Sequence, residues 1–259
     1  MTRDHPRPMR DEQGRTDMPP ILGFERISKR FGAVLVAQDI DLALRPGEAL
    51  GIIGPNGAGK TTLFGIACGT VMPDAGRVVL DGEDITQLAP EGRCRLGLGR
   101  SFQIPQPFNG MTVFENLVVA AAFGRGLRER DVYADCVELL QRCRLSDKAN
   151  RRAGSLTLLD RKRLELARAL ATEPRVLLLD EVAGGLTEHE CAALVGLIHD
   201  IRRAGVSIIW IEHIVHALVA VVDRLVVLHG GTFIGEGEPK AVINLPAVRE
   251  IYMGIPADA

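Results

Sequence analysis

The sequence contains no long apolar run, and this absence excludes two kinds of segment. No uncharged apolar stretch reaches the roughly 18 residues of a candidate membrane span. We therefore expect no transmembrane helix, and any work at a membrane would require a partner. Residues 1–20 also lack the apolar core of a signal peptide. They are charged and proline-rich, and we interpret them as a disordered tail.

Closely spaced cysteines and excess positive charge are missing as well. No C-x-x-C pair occurs, so neither a zinc site nor a thioredoxin-like motif is indicated. We interpret the five cysteines as small buried side chains in a reducing cytosol; they are Cys68, Cys94, Cys136, Cys143 and Cys191. The formal net charge of −2 gives no electrostatic basis for a nucleic-acid partner.

The apolar residues that are present follow the patterns of an α/β protein. They make up 46% of the 259 residues, which is enough for a sizeable core. Alternating apolar and polar positions over 21–27 and 34–44 predict half-buried antiparallel strands. Short apolar runs predict buried parallel strands at 49–53, 176–179 and 207–211. Helical spacing with few strand signals marks residues 85–152, where we expect a helical insertion.

A glycine-rich loop between a predicted strand and a predicted helix has the pattern G-x-x-x-x-G-K-[ST] of a phosphate loop. Its residues are Gly54, Pro55, Asn56, Gly57, Ala58, Gly59, Lys60 and Thr61. Glycines let backbone N–H groups converge on phosphates, and the helix N-terminus adds partial positive charge. Lys60 is expected to reach the β- and γ-phosphates, Thr61 to offer its hydroxyl to Mg²⁺, and Thr62 to lie near the α-phosphate. The alternative, a glycine-rich turn that caps a helix, is disfavoured by the strand–loop–helix context.

Two carboxylates follow the apolar strand at 176–179. Asp180 fits the Mg²⁺-holding acid of phosphate-loop ATPases. Glu181 is the next residue and points elsewhere, so it could polarise the attacking water. The alternative is that one of the two acids caps the next helix. Beside a phosphate loop, the pair favours ATP hydrolysis with ATP and Mg²⁺ as cofactors.

These elements predict an α/β fold with a P-loop NTPase core. We expect a mainly parallel sheet with an antiparallel β subdomain, plus a helical subdomain. Residues 21–259 are expected to form one domain, with residues 85–152 as the helical subdomain inserted in the core.

The motifs resemble those of ABC transporter ATPases from residue 24 to residue 255. The resemblance implies that Phe31 stacks on adenine, that Gln103 senses Mg²⁺ and water, and that His213 contacts the γ-phosphate. It also implies that residues 184–187 form a loop that crosses a dimer interface. With the phosphate loop, the implied catalytic residues are Lys60, Gln103, Glu181 and His213. Each of the newly implied residues has a plainer alternative; Phe31 could belong to the core and His213 to the surface.

Finer features are similar to branched-chain amino-acid uptake ATPases, with urea-uptake ATPases as close relatives. The resemblance lies in residues 101–103, 108–117, 163–170, 211–213 and 252–254. It implies membrane-spanning permease subunits as partners, a second ATPase subunit in a homo- or heterodimer, and indirect work with a solute-binding protein. It places the chain at the cytoplasmic face of the inner or plasma membrane, peripherally bound. No residue contacts the transported solute, so the solute is left open, and a urea or other amide importer is an alternative.

The sequence departs from the family at its signature, normally close to LSGGQ. The corresponding residues are Leu156, Thr157, Leu158, Leu159 and Asp160. In the family this loop binds the γ-phosphate of the ATP held by the opposite subunit. Leucine side chains obstruct a close approach to phosphate, and a carboxylate disfavours a nearby anion. We hypothesise a competent nucleotide half-site and a weakened signature half; a tolerated variant and a regulatory module with low turnover are the alternatives.

Three other functions are disfavoured. DNA-repair members of the family carry long coiled-coil insertions, and translation members carry two ATPase units in one chain. Neither feature occurs in this sequence. A P-loop kinase is disfavoured by the family-like placement of Gln103 and His213.

Overall fold

A computed structural model describes residues 19–253 of the chain, and its strands form two sheets. Their bounds are β1 Leu22–Phe31, β2 Val34–Leu44, β3 Ala49–Ile53, β4 Ala75–Leu80, β5 Glu83–Asp84, β6 Leu98–Arg100, β7 Val176–Asp180, β8 Ser207–Ile211, β9 Arg224–His229 and β10 Thr232–Gly237. Residues 1–18 lie outside the described part, so the interpretation of residues 1–20 as a disordered tail stays a prediction.

The larger sheet has the order β10-β9-β3-β8-β7-β6 and is parallel except for β10. Every residue of β3, β7 and β8 is buried, as in parallel sheets covered on both faces. The smaller sheet, in the order β2-β1-β4-β5, is antiparallel. The predicted α/β fold with a mainly parallel sheet and an antiparallel part is confirmed.

Helices cover the larger sheet. They are α1 Lys60–Cys68, α2 Pro90–Arg95, α3 Val113–Arg125, α4 Glu129–Arg142, α5 Leu158–Ala171, α6 Glu188–Arg203, α7 Val215–Val219, α8 Pro239–Ile243 and α9 Pro246–Met253. Alternate residues of β7 face two cores, because successive strand side chains point to opposite faces. Leu178 packs in the core that contains α1 and the smaller sheet, whereas Leu179 packs with α3, α4, α5 and α6.

The segment 85–152 holds α2, α3 and α4, as its helical spacing predicts, but it also holds β6. This strand of three residues pairs with β7, with Leu98 opposite Val176. It is too short to leave an alternating pattern in the sequence. The start of the segment therefore contributes to the core sheet, and α3 and α4 follow β6.

A capping box explains where α6 begins. Helix α6 begins at Glu188, because the Thr187 hydroxyl accepts from the backbone N–H of Glu190 and the Glu190 carboxylate accepts from that of Thr187. This capping box fixes the first turn. None of the helices within residues 19–253 combines the length and the apolar composition that a membrane span requires.

Candidate functional site

The loop between β3 and α1 is held against its neighbours at two glycines. A Cβ on Gly54 would lie 2.3 Å from the carbonyl oxygen of Leu228, and one on Gly59 would lie 2.4 Å from that of Val36. Gly59 also has a φ of 104°, which other residues rarely adopt. Only glycine fits at both positions, so the loop conformation follows directly from the motif.

Lys60 is buried inside this loop. Its Nζ donates to the carbonyl oxygens of Gly54, at 2.6 Å, and Pro55, at 3.1 Å. Burial lowers the pKa of Lys60, and the neighbouring charges of Glu181 and Asp180 oppose that shift. The ammonium group is thus held by neutral carbonyls, which a phosphate can replace as a stronger, charge-assisted partner.

Asp180 ends β7 and is almost fully buried. Its Oδ2 accepts from Nη2 of Arg100 at 2.9 Å, whereas its Oδ1 has no hydrogen-bond partner among the described residues. Burial raises the pKa of Asp180, and the hydrogen bond and charge of Arg100 oppose the shift. The alternative, that Asp180 or Glu181 caps the next helix, is wrong, because α6 is capped by Thr187 and Glu190.

Glu181 lies where three loops meet. Its backbone has a φ of 46°, an uncommon left-handed conformation for a residue other than glycine. Its Oε2 accepts from the Gln103 side-chain amide at 2.5 Å and lies 3.7 Å from Nδ1 of His213. The structure therefore brings Gln103, Glu181 and His213 together, although they are far apart in the sequence.

A cleft of about 660 Å³ connects these groups with the glycine-rich loop. This volume lies in the range of roughly 300–1,000 Å³ that small-molecule sites occupy. The lining residues are Val36, Asn56, Gly57, Ala58, Gly59, Lys60, Thr61, Thr62, Gln103, Glu181 and His213. The cleft contains both the phosphate-loop residues and the three groups around Glu181.

Phe31 lies outside this set of lining residues. It ends β1 with 51% of its surface exposed, so the alternative that it belongs to the core is wrong. The ammonium group of Lys29 lies 5.3 Å from the centre of its ring. An exposed ring at the end of a strand is free to stack on a planar group, although Phe31 is not among the residues that line the cleft.

Two buried charged residues near the site, Glu212 and Lys162, are not among the predicted site residues. Glu212 is fully buried; its Oε1 accepts from the backbone N–H of His213 and its Oε2 from that of Ala183, each at 3.0 Å. Lys162 on α5 is also buried, with Nζ 3.5 Å from the carbonyl oxygens of both Gln103 and Glu181. The only sequence signal for Glu212 is its position directly after an apolar strand.

The donor set suits Mg²⁺ bound together with a phosphorylated ligand. No cluster of three or more His, Cys, Asp or Glu side chains suited to a metal occurs in residues 19–253. Mg²⁺ needs no such cluster, since it keeps several waters and binds through one or two protein groups plus substrate phosphates. The unpartnered Oδ1 of Asp180 and the exposed hydroxyl of Thr61 on the first turn of α1 fit that requirement.

The altered signature segment forms the start of α5. The Thr157 hydroxyl accepts from the backbone N–H of Asp160 and donates to its carboxylate at 3.0 Å. Asp160 also pairs with Lys148 at 3.2 Å and Arg163 at 3.3 Å, so its charge is largely neutralised within the chain. Asp160 therefore repels a nearby anion less than an unpaired carboxylate would. Leu158 remains 45% exposed at the position where the family has a small residue.

The segment 184–187 lies beside this helix start. A Cβ on Gly185 would be 3.4 Å from Cδ2 of Leu158. The backbone N–H of Ala183 is held by Glu212, as described above. The loop after β7 is therefore tied on one side to the loop after β8 and approaches the exposed Leu158 on the other.

Comparisons with known proteins place this site in a family. The family described as ABC transporter matches residues 37–184. The high-affinity branched-chain amino acid transport ATP-binding protein BraF of Pseudomonas aeruginosa is 36% identical over 252 residues, covering 91% of this chain and 98% of that protein. The lipopolysaccharide export system ATP-binding protein LptB of Haemophilus influenzae is 32% identical over 234 residues, covering 90% of this chain and 97% of that protein.

A solved structure of an ATP-binding cassette of an ABC transporter in its ADP conformation resembles the whole fold. The TM-score is 0.84 at 31% sequence identity, and the match covers 91% of this chain and 99% of the other. The similarity thus extends well beyond the phosphate loop, through both sheets and the helical segment.

Proposed function

The chain belongs to the ABC transporter ATP-binding proteins and is an ATP hydrolase of that family, and from this premise we propose that it powers the uptake of branched-chain amino acids or a related small solute. One observation carries the hydrolytic part of the proposal. Gln103 and His213 converge on a single carboxylate, Glu181, at one end of the cleft that holds the phosphate loop.

The residues at the site have different roles in hydrolysis. Backbone N–H groups of the loop and the ammonium of Lys60 hold the β- and γ-phosphates. Glu181 accepts the hydrogen bond of the attacking water and draws its proton, while Gln103 and His213 fix the position of that carboxylate. Thr61 and Asp180 would hold Mg²⁺, and the ion would supply positive charge to neutralise the phosphate oxygens.

A second ATPase subunit would complete the site. In a head-to-tail dimer, each ATP lies between the phosphate loop of one subunit and the signature segment of the other. Here the phosphate-loop half has all its residues, whereas Leu158 is exposed where the other subunit's nucleotide would approach. A partner with a regular signature would therefore give one strong and one weak site.

ABC transporter ATP-binding subunits work with membrane-spanning permease subunits, and the loop around Gln103 is the proposed contact. Phe102, Ile104 and Phe108 in that loop are 49%, 71% and 47% exposed. Such clustered apolar side chains mark interaction surfaces. The permeases would hold the chain at the cytoplasmic face of the membrane, and a solute-binding protein would deliver solute to them.

Helix α5 links this loop to the nucleotide site. Arg168 on α5 pairs with the Glu165 carboxylate at 3.0 Å and donates to the carbonyl oxygen of Gln106 at 2.9 Å. A shift of α5 on closure of the dimer would therefore carry the loop with it. This provides a route by which hydrolysis moves the permeases.

The solute class rests on the relatives alone. BraF carries a name for branched-chain amino acid transport, whereas LptB, which is almost as similar, carries a name for export. The cleft that holds the phosphate loop is proposed to bind nucleotide rather than solute. Urea or another amide is the alternative cargo, and a regulatory module with low turnover is the alternative function that the altered signature favours.

Co-purification from native membranes tests the proposal. A tagged chain in mild detergent is expected to retain two multispanning proteins and a second ATPase, identified by mass spectrometry. An Ile104→Asp variant should lose the permeases and keep its ATPase activity. The matched control is Val34→Asp, because Val34 is also well exposed, at 62%, but lies at the start of β2. Recovery of the unaltered chain alone, or with soluble partners, would reject the transport role.

A further inference from the structure

Arg100 lies at the end of β6, three residues before Gln103, and makes the ion pair to Asp180 described above. We propose that Arg100 is a positioning residue for the hydrolysis of ATP: it holds Oδ2 of Asp180 so that Oδ1 remains directed at the nucleotide-bound Mg²⁺. The proposal rests on the proposed role of Asp180 as a metal-holding acid.

The pair is well shielded from water. The side chains of Arg100 and Asp180 are 13% and 4% exposed, and Nη2 lies 2.9 Å from Oδ2. Within the described residues, the Asp180 side chain accepts no other hydrogen bond. A buried carboxylate requires such a partner to stay charged and ordered. One oxygen is therefore fixed by Arg100, and the other is left for a ligand.

Two aromatic rings fix the guanidinium in turn. It lies 5.7 Å from the ring centre of Phe64 and 5.0 Å from that of Phe102. Phe64 is on α1, four residues after Lys60, and Phe102 directly precedes Gln103. Arg100 thus contacts the phosphate-loop helix, the metal-holding acid and the Gln103 loop at once. A planar guanidinium stacks and donates together, which a lysine ammonium does only in part.

Arg100 is also placed to meet a geometric requirement of Asp180. Asp180 must present one oxygen in a fixed direction, but its side chain can rotate if both oxygens are free. Groups behind a metal ligand commonly serve to hold it in place, and their loss weakens metal affinity by roughly 10- to 100-fold. The Arg100 pair has this arrangement, because the guanidinium binds one oxygen of the carboxylate and the other oxygen has no partner among the described residues.

Metal affinity, measured apart from turnover, tests the proposal. The protein, in excess over a non-hydrolysable ATP analogue, is titrated with Mn²⁺ while free Mn²⁺ is followed by electron paramagnetic resonance. Arg100→Gln is expected to weaken Mn²⁺ binding by roughly tenfold or more, and Arg100→Lys to restore part of it. Affinity for the analogue in EDTA should change by less than about twofold, because Arg100 is not among the residues that line the cleft.

Arg175→Gln is the matched control. Arg175 forms an ion pair of similar length, 2.8 Å, with Asp81, but both side chains are more than half exposed. Breaking this pair should leave Mn²⁺ affinity unchanged. If Arg100→Gln binds Mn²⁺ as the unaltered chain does, Arg100 is merely a structural partner and the proposal is overturned.

Asp180→Asn separates this failure from that of the proposed function. If Asp180→Asn also binds Mn²⁺ normally, the metal-holding role of Asp180 is wrong, and the proposed function loses that part of its site. If Arg100→Gln does not fold, Arg100→Lys decides. An unchanged Mn²⁺ affinity in a folded lysine variant overturns the proposal, whereas a several-fold loss with an unchanged melting temperature supports it.

Discussion

The side-chain amide of Gln103 lies 2.5 Å from Oε2 of Glu181, although 78 positions separate the two residues in the chain. This contact joins the loop after β6 to the loop after β7. Nδ1 of His213, in the loop after β8, lies 3.7 Å from the same oxygen. Three loops at the ends of parallel strands therefore surround one carboxylate, so movement of any of them changes its surroundings.

Replacing Glu181 with glutamine should separate binding from hydrolysis. The amide keeps the size of the side chain but cannot accept a proton from water. We expect ATP to bind and the rate of phosphate release to fall by at least about 100-fold, with a closed dimer accumulating on gel filtration. The control Glu188→Gln removes an exposed carboxylate nearby and should change neither quantity. Hydrolysis at the unaltered rate would show that another group polarises the water.

Lys60→Ala should abolish ATP binding or turnover. The ammonium is the buried cation of the phosphate loop, and its loss leaves the phosphates without their main charged partner. Affinity is measured with a fluorescent ATP analogue, and turnover by phosphate release. Lys240→Ala, at an exposed position on α8, is the control for loss of a lysine. Normal binding and turnover together in Lys60→Ala would remove the loop from the proposed mechanism.

Arg93→Met should destabilise the fold without a direct effect on the cleft. The buried guanidinium donates to the carbonyl oxygens of Ile66, Ala67, Thr86 and Leu88, and so supports the C-terminal end of α1. Methionine fills much of the space but removes the hydrogen bonds that the guanidinium donates to these carbonyl oxygens. We expect the free energy of unfolding to fall by about 3 kcal/mol.

Denaturant unfolding, followed by the fluorescence of the single tryptophan, Trp210, measures this change. Trp210 is fully buried in β8, so its emission reports exposure of the core. The control Arg95→Met lies on the same helix at an exposed position and should change the free energy by less than about 0.5 kcal/mol. Equal stability of the two variants would contradict the role assigned to Arg93.

The phosphate loop and the acidic pair could be predicted because their chemistry restricts neighbouring residues. Gly54 and Gly59 have neighbours that exclude a Cβ, and Asp180 directly ends an apolar strand. The predicted order of strands and helices follows from the same local rules. The roles of Gln103 and His213 came only from the family resemblance, and their convergence on Glu181 was not predicted, since residues far apart in sequence leave no local pattern of contact.

The pairing of buried charges could not be predicted for the same reason. Arg100 ends a strand of three residues, and its partner Asp180 is 80 positions away. Glu212 holds two backbone N–H groups in different loops. Such pairs depend on how β6, β7 and β8 lie side by side, which alternation and composition do not encode.

Restoring glycines in the signature segment should raise the activity of a homodimer. Leu158 and Leu159 are the first two residues of α5, and Leu158 is exposed toward the segment that contains Gly185. In Leu158→Gly/Leu159→Gly, the backbone N–H groups at the helix start become accessible to a phosphate of the opposite subunit. We expect turnover of the purified chain to rise by roughly tenfold or more, since a donor placed at a reacting oxyanion has effects of this size.

The double alanine variant at the same positions tells obstruction from flexibility. Alanine removes most of each leucine side chain but keeps the helix start rigid, so a rise in both variants indicates obstruction by the leucines. A rise in the glycine variant alone indicates that the backbone must move closer than a Cβ permits. In both cases the Thr157 and Asp160 cap of α5 stays in place, so the melting temperature should change little. Unchanged turnover in both variants would mean that the leucines do not weaken the signature half, and the expected asymmetry between two ATP sites would lose its basis.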